Sequence, residues 1–215
     1  MLRKESFAPG EYYHLYNRGV DKRIIFTSPN DYHRFLKMMY VCNSHQPIVF
    51  RDMADLNIYS INRGETLVDI GAYCLMNNHF HILVREKNDG GITTFMKKLL
   101  TGYSMYFNKK YNRSGALFQG RFQSEHACDD RYLNYLLAYI HLNPVRALVK
   151  EGNFDLAKRK ISEHQYSSYV DYLGAKRIES CILNIDSFPQ YFNQALDFKR
   201  FINEWIDYEK NYNTD

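Results

Sequence analysis

The run Gly71-Ala72-Tyr73-Cys74-Leu75-Met76-Asn77-Asn78-His79-Phe80-His81-Ile82 decides the fold. Two apolar stretches flank an Asn-Asn pair, and asparagine tolerates the backbone of a tight connection. The spacing predicts a hairpin of strands Leu67 to Met76 and His79 to Arg85. Side chains alternate along a strand, so His79 and His81 share one face while Phe80 and Ile82 enter the opposite layer. Two neighbouring imidazoles on an apolar strand make half of a metal site.

Outward from the hairpin, Tyr12 to Arg18 reads as a first strand closed by Gly19, and Asp31 to Val41 as a helix with Phe35, Met38 and Met39 inward. Residues 43–66 are polar and carry Pro47 and Gly64, which predicts a loop insertion. After Asn88-Asp89-Gly90-Gly91 comes an amphipathic helix, Thr93 to Tyr111, with Phe95, Leu99, Leu100, Tyr103, Tyr106 and Phe107 on its buried stripe. Leu117 to Ala127 reads as a fourth strand. Asp129 is placed to cap a helix that ends at Asn143, because a residue before proline is pushed out of helical geometry. The order β-α-β-β-α-β-α is that of an α+β, ferredoxin-like split β-α-β sheet. One domain over residues 1–150 is expected, followed over 151–215 by a mainly helical C-terminal extension with helices at Gln165 to Leu173 and Tyr191 to Tyr208.

With 215 residues and 45% hydrophobic content, the chain can bury a full core. Its 19 tyrosines suit base stacking as well as packing, and a net charge of +4 allows a polyanion on a local patch without demanding one. Cys42, Cys74, Cys128 and Cys181 are scattered and never paired as C-x-x-C, so zinc-finger and redox readings fail. No apolar run approaches the roughly 18 residues of a membrane span. A cytoplasmic protein that does not engage a membrane is expected.

On the last helix Tyr132, Tyr135, Tyr139 and Asn143 fall at spacings of three and four and share a face. Neutral imidazoles from the strand would bind a divalent metal that polarises a phosphate oxygen. A tyrosine hydroxyl would attack phosphorus, dividing one hard displacement into two easier ones through a covalent intermediate. Asn143 would be the third ligand, and mixed nitrogen and oxygen ligation suits Mg²⁺ or Mn²⁺. Each element has a plainer reading: a surface histidine pair, packed tyrosines, an asparagine capping a helix end. Spacing alone does not separate Tyr139 from Tyr135. His141 lies on another face and reads as structural, and His14, His33, His45, His126 and His164 have no partner spacing.

His79-Phe80-His81, preceded by Tyr73-Cys74-Leu75-Met76 and followed by Tyr139-Ile140-His141-Leu142-Asn143-Pro144-Val145-Arg146, resembles the single-tyrosine HUH transposases, most of all the REP-associated tyrosine transposases. Tyr13-His14-Leu15-Tyr16-Asn17-Arg18-Gly19, Ser114 to Phe122 and a weaker echo at Tyr166-Ser167-Ser168-Tyr169 extend the resemblance over residues 12 to 150 and beyond. It implies a metal-dependent endonuclease and transposase over 1–150 that cleaves and rejoins single-stranded DNA near hairpins. By position, His79 and His81 hold the metal and Tyr139 becomes joined to a 5′-phosphate, leaving a free 3′-hydroxyl. Asn143 stands where some relatives have glutamine, and Asn77 where relatives often have proline. The resemblance admits a homodimer as well as a monomer.

Arg18, Arg113, Arg121 and Arg146 sit in or beside the matching motifs and are the candidate phosphate contacts. Lys97-Lys98 and Lys109-Lys110 form a basic stripe or a solvated helix face, and Tyr16 or Phe122 are candidate platforms for bases. The alternative is a non-catalytic single-stranded nucleic-acid-binding protein, a domesticated transposase on the same fold. A zinc hydrolase ranks last, because no third His, Asp or Glu stands at a ligand spacing.

Overall fold

The structure, a computed structural model, describes residues 6–47 and 57–212. Its strands are β1 (Tyr12–Arg18), β2 (Val68–Met76), β3 (His79–Glu86) and β4 (Gln123–His126). They form one antiparallel sheet in the order β2-β3-β1-β4. Helices α1 (Pro29–Cys42) and α2 (Gly91–Lys110) follow β1 and β3, giving the expected ferredoxin-like order. A third helix, α3 (Asp130–Leu142), follows β4 and lies on the other face of the sheet.

Alternation along the strands sorts the two layers. Leu15, Tyr73, Leu75, Phe80, Ile82 and Val84 pack against Phe35, Phe95, Leu99 and Tyr103 of α1 and α2. Ala72, Cys74 and Leu83 point the other way and meet Leu133, Leu136, Leu137 and Ile140 of α3. The Asp129 carboxylate accepts from the Tyr132 amide at 2.7 Å, so α3 begins at its capping residue.

The irregular chain after α1 is anchored at both ends. Buried Asn43 spans to β2, donating to the Val68 carbonyl at 2.9 Å and accepting from the Val68 amide at 3.0 Å. Lys98 donates to the Ser44 and Gln46 carbonyls, so this lysine serves the loop. Between these anchors lies a short 3₁₀ turn, Ile58–Ser60, and the rest of the expected insertion, residues 48–56, falls outside the described residues. Asn43→Ala strands two buried backbone groups and is expected to cost roughly 2 kcal/mol in urea unfolding. A loss no larger than that of an exposed Asn→Ala control would show that the anchor contributes nothing.

Four expectations are corrected. The strand expected over Leu117 to Ala127 pairs only at Gln123–His126. Gly120, at φ +69°, turns the chain, and Phe118 makes an isolated bridge to Gly19. The α-helix ends at Leu142 with Asn143 as its cap, as expected, but Asn143 itself keeps helical geometry (φ −49°, ψ −43°) despite Pro144. Pro144 enters the first turn of a 3₁₀ segment, Asn143–Val145, that leads into α4 (Arg146–Lys150). Of the helix expected over Gln165 to Leu173, only α6 (Tyr169–Tyr172) forms, following α5 (Phe154–Lys160). The preceding residues form a turn with one isolated bridge, Ser167 to Cys74, and satisfy the open edge of β2: the Leu75 amide donates to Tyr166, and the Ser168 amide to Tyr73. The last helix, α7, runs over Ala195–Tyr212, starting four residues later than the periodicity suggests.

The C-terminal extension shares a core with α3. Phe198, Ile202 and Ile206 of α7 pack with Ala138, Val145 and Val149. His141 is fully buried there, with Nδ1 2.7 Å from the Leu137 carbonyl and Nε2 2.8 Å from the Ser168 hydroxyl. Burial lowers its pKa to about 4, against a smaller opposing effect of the Leu137 carbonyl. The unfolded chain takes up this proton near pH 6.5, before the fold does. His141 therefore contributes stability fully above about pH 6.5 and loses it as pH falls towards 4, on the order of 3 kcal/mol in all. His141→Gln should flatten that slope in urea titrations at pH 7.5, 6 and 5. Parallel slopes would assign the acid sensitivity elsewhere.

Candidate nuclease site

The sheet face beneath α3 carries the histidines. In the strand register Tyr16 lies opposite His81, Arg18 opposite His79, and Glu125 opposite His14. All six side chains therefore project to the same side. The His79 and His81 rings sit 5.0 Å apart, edge to face. Tyr139 reaches down from α3, with its ring 5.5 Å from His81 and 5.8 Å from His14. Arg146 lies 4.9 Å over the Tyr139 ring, brought there by the 3₁₀ turn Asn143–Val145 that joins α3 to α4.

These residues line a cavity of about 830 Å³ within a single chain. His79, His81, Tyr139 and Asn143 form its chemical wall, and Arg18, Lys22, Arg146 and Lys150 give it positive charge. The three helix tyrosines are separated by geometry. Tyr132 donates to Glu125 at 3.0 Å, and Tyr135 is 37% exposed with its ring 5.5 Å from Trp205. Of the three, only Tyr139 lines the cavity.

Both strand histidines are held neutral. Burial pushes the His81 pKa well below its ordinary value, and the nearby His14, His79 and Arg146 push the same way. Burial also lowers His79, partly offset by a hydrogen bond with Asn143. His79 Nδ1 lies 2.6 Å from the Asn78 amide oxygen, an acceptor, so the ring proton sits on Nδ1 and Nε2 keeps its lone pair. Asn143 donates its amide nitrogen to the Tyr139 carbonyl at 2.8 Å, which leaves its amide oxygen as the acceptor beside the His79 ring. Among the described residues no group of three or more His, Cys, Asp or Glu could hold a metal ion. A metal bound by His79 and His81 would draw its third protein ligand from another residue type, and the Asn143 amide is at hand.

Of the candidate arginines, Arg18 and Arg146 line the cavity and Arg113 and Arg121 do not. Arg113 donates to Asn108 and lies over Phe107 at the end of α2. Lys110 ion-pairs with buried Asp31 at 2.6 Å. Tyr16 lines the cavity, whereas Phe122 packs at the edge of the core. Lys22, Lys150 and His14 escape sequence reasoning. His14 had a signal: it alternates with Tyr16 on β1 as His79 alternates with His81 on β3.

The IS200-like transposase family matches residues 31–143, more than half of the chain and the whole path from α1 to Asn143. The chain belongs to the IS200-like transposase family. Among solved structures, this family member is similar to a REP-associated tyrosine transposase bound to a REP hairpin, at a TM-score of 0.50 and 13% sequence identity, over 83% of this chain and 90% of that one. At that identity the likeness is one of fold, and it bears out the α+β architecture. Comparison with curated proteins found no match. No helix among the described residues is long and apolar enough to cross a membrane.

Proposed function

We propose that this transposase cleaves and rejoins single-stranded DNA beside a hairpin, with Tyr139 as nucleophile. One observation carries the reading: a single chain brings Tyr139 within 5.5 Å of His81, in a cavity with positive walls. The family match and the likeness to a transposase bound to a REP hairpin point to the same substrate class.

Arg18 and Arg146 hold the phosphate backbone, and Lys22 and Lys150 extend that contact along the cavity wall. The Tyr139 hydroxyl attacks phosphorus, forming a tyrosyl–phosphate bond as the P–O3′ bond breaks. The tyrosine proton leaves to solvent and the departing O3′ takes one up from solvent, so the departing strand ends in a 3′-hydroxyl. Rejoining reverses these steps, with a 3′-hydroxyl displacing Tyr139. His79 and His81, each neutral, and the Asn143 amide oxygen are the residues that would hold Mg²⁺ or Mn²⁺. Such an ion polarises a phosphate oxygen and supplies the charge stabilisation that in-line displacement needs. The tyrosine and its histidine pair lie in one chain, so the reading needs no second copy.

The test mixes the protein with labelled single-stranded oligonucleotides carrying hairpins from its own flanking DNA, with Mn²⁺, Mg²⁺ or EDTA. A protein–DNA adduct that survives denaturation, needs the metal and disappears in His79→Ala and His81→Ala is expected. Hairpin binding without an adduct on any flank-derived oligonucleotide would replace the enzyme with a nucleic-acid-binding protein.

A further inference from the structure

Beside the histidine pair runs a second set of polar side chains. His14 Nε2 lies 2.9 Å from His81 Nδ1, with both residues buried. On its far side His14 Nδ1 has no hydrogen-bond partner and lies 3.7 Å from a Glu125 carboxylate oxygen. Glu125 in turn accepts from the Tyr16 hydroxyl at 2.9 Å and from the Tyr132 hydroxyl at 3.0 Å.

Two neutral imidazoles whose nitrogens lie at hydrogen-bond distance need one proton between them. If His14 supplied it, His14 Nδ1 would turn a lone pair towards a carboxylate, acceptor against acceptor, and His81 Nε2 would carry its proton into the cavity. If His81 supplies it, His14 Nδ1–H faces the carboxylate. The 3.7 Å separation is too long for a hydrogen bond. The preference is that of a negative charge for the positive end of an N–H dipole, with His14 buried and the Glu125 side chain 45% exposed, so that solvent screens it on the carboxylate side only. The two phenols, both donors, keep the charge on Glu125, whose carboxyl is held down to about 2, first by the His14 ring beside it and then by Tyr16 and Tyr132.

We infer that His14, oriented by Glu125, is a positioning residue that holds His81 as the Nδ1–H tautomer and so turns the His81 Nε2 lone pair into the cavity. His79 reaches the same tautomer through Asn78, so both rings present Nε2. The relay crosses three strands, β3, β1 and β4, and Tyr132 ties it to the helix that carries Tyr139. Anchoring the far nitrogen of a ligating imidazole is a general means of tuning a metal site. The consequence for metal affinity rests on the proposed function; the tautomer does not.

The test is a long-range ¹H–¹⁵N correlation spectrum of the histidine rings in ¹⁵N-labelled full-length protein at pH 7.5 without metal. His81 is expected with Nδ1 protonated and Nε2 bare. His14→Leu should return it to Nε2–H, the form free histidine prefers. His14→Gln, whose amide oxygen can take the place of Nε2 as acceptor, should keep Nδ1–H. An Nε2–H ring in the parent, or an unchanged His81 in a folded His14→Leu, overturns the assignment. Should His14→Leu fail to fold, the parent and His14→Gln spectra still decide it. A parallel Mn²⁺ titration by calorimetry should show His14→Leu binding about 10- to 100-fold more weakly, the usual cost of losing such an anchor. A parent that takes up no Mn²⁺ while keeping Nδ1–H would defeat the metal reading and leave the tautomer standing. Equal Mn²⁺ affinity in parent and His14→Leu would refute the role in positioning a ligand.

Discussion

Tyr139→Phe is expected to abolish the covalent protein–DNA adduct and to lower cleavage by about 10⁴-fold or more, the scale on which loss of a catalytic nucleophile acts. The substitution removes one oxygen and keeps the ring. The packing against His81, His14 and Arg146 therefore persists, and the thermal midpoint should stay where it is. Hairpin binding in EDTA should also survive, since the basic wall of Arg18, Lys22, Arg146 and Lys150 is intact. Tyr135→Phe is the matched control, because Tyr135 sits one turn away outside the cavity lining. Side-by-side denaturing gels of the two variants read the difference. An adduct in Tyr139→Phe that is lost in Tyr135→Phe would move the nucleophile by one turn.

The largest stability effect is expected at Arg177. Its guanidinium forms an ion pair with the Asp171 carboxylate and donates to the Tyr73 hydroxyl at 2.8 Å and the Ser167 carbonyl at 2.7 Å, with the Gln165 carbonyl also in reach. Asp171 is 3% exposed at its side chain, and its remaining side-chain partner is the Ser180 hydroxyl. Arg177→Ala leaves that carboxylate buried and unpaired, together with the carbonyls of the segment that covers the edge of β2. The cost is expected at about 3 kcal/mol, the lower end for breaking a buried pair because Arg177 itself reaches solvent. For a chain of this size that lowers the melting temperature by roughly 6–12 °C. Asp171→Ala/Arg177→Ala should cost less than the two single changes summed, since neither charge is then left alone. Amide exchange at Leu75 and Ser168, which bond this segment to β2, should accelerate in Arg177→Ala. Scanning calorimetry gives the first number; a shift no greater than that of an exposed Lys→Ala control would remove the clamp from the account.

The hairpin and both flanking helices were readable because their signals are local. Asn77-Asn78 marks the turn, alternation around His79-Phe80-His81 sorts the two layers, and Asp129 caps its helix as its position suggests. What escaped depends on partners distant in the chain. Gln165 to Ser168 look helical alone but form a turn and a bridge because β2 has an open edge for them to fill. Leu117 and Phe118 are apolar enough for a strand, yet Gly120 turns the chain between the Phe118 bridge to Gly19 and the pairing of Gln123 with β1. His14 pairs with His81 only through a strand register that links residues 67 apart. Arg146 reaches Tyr139 because helical geometry persists at Asn143, against the local preference before proline.

The measurement that bears most directly on the central claim is fragmentation mass spectrometry of the trapped adduct after nuclease and trypsin digestion. Cleavage after Arg131 and Arg146 yields one peptide that contains Tyr132, Tyr135 and Tyr139. The account predicts a nucleotide remnant on Tyr139, joined through phosphate. A remnant on Tyr132, on Tyr135 or outside this peptide would contradict it.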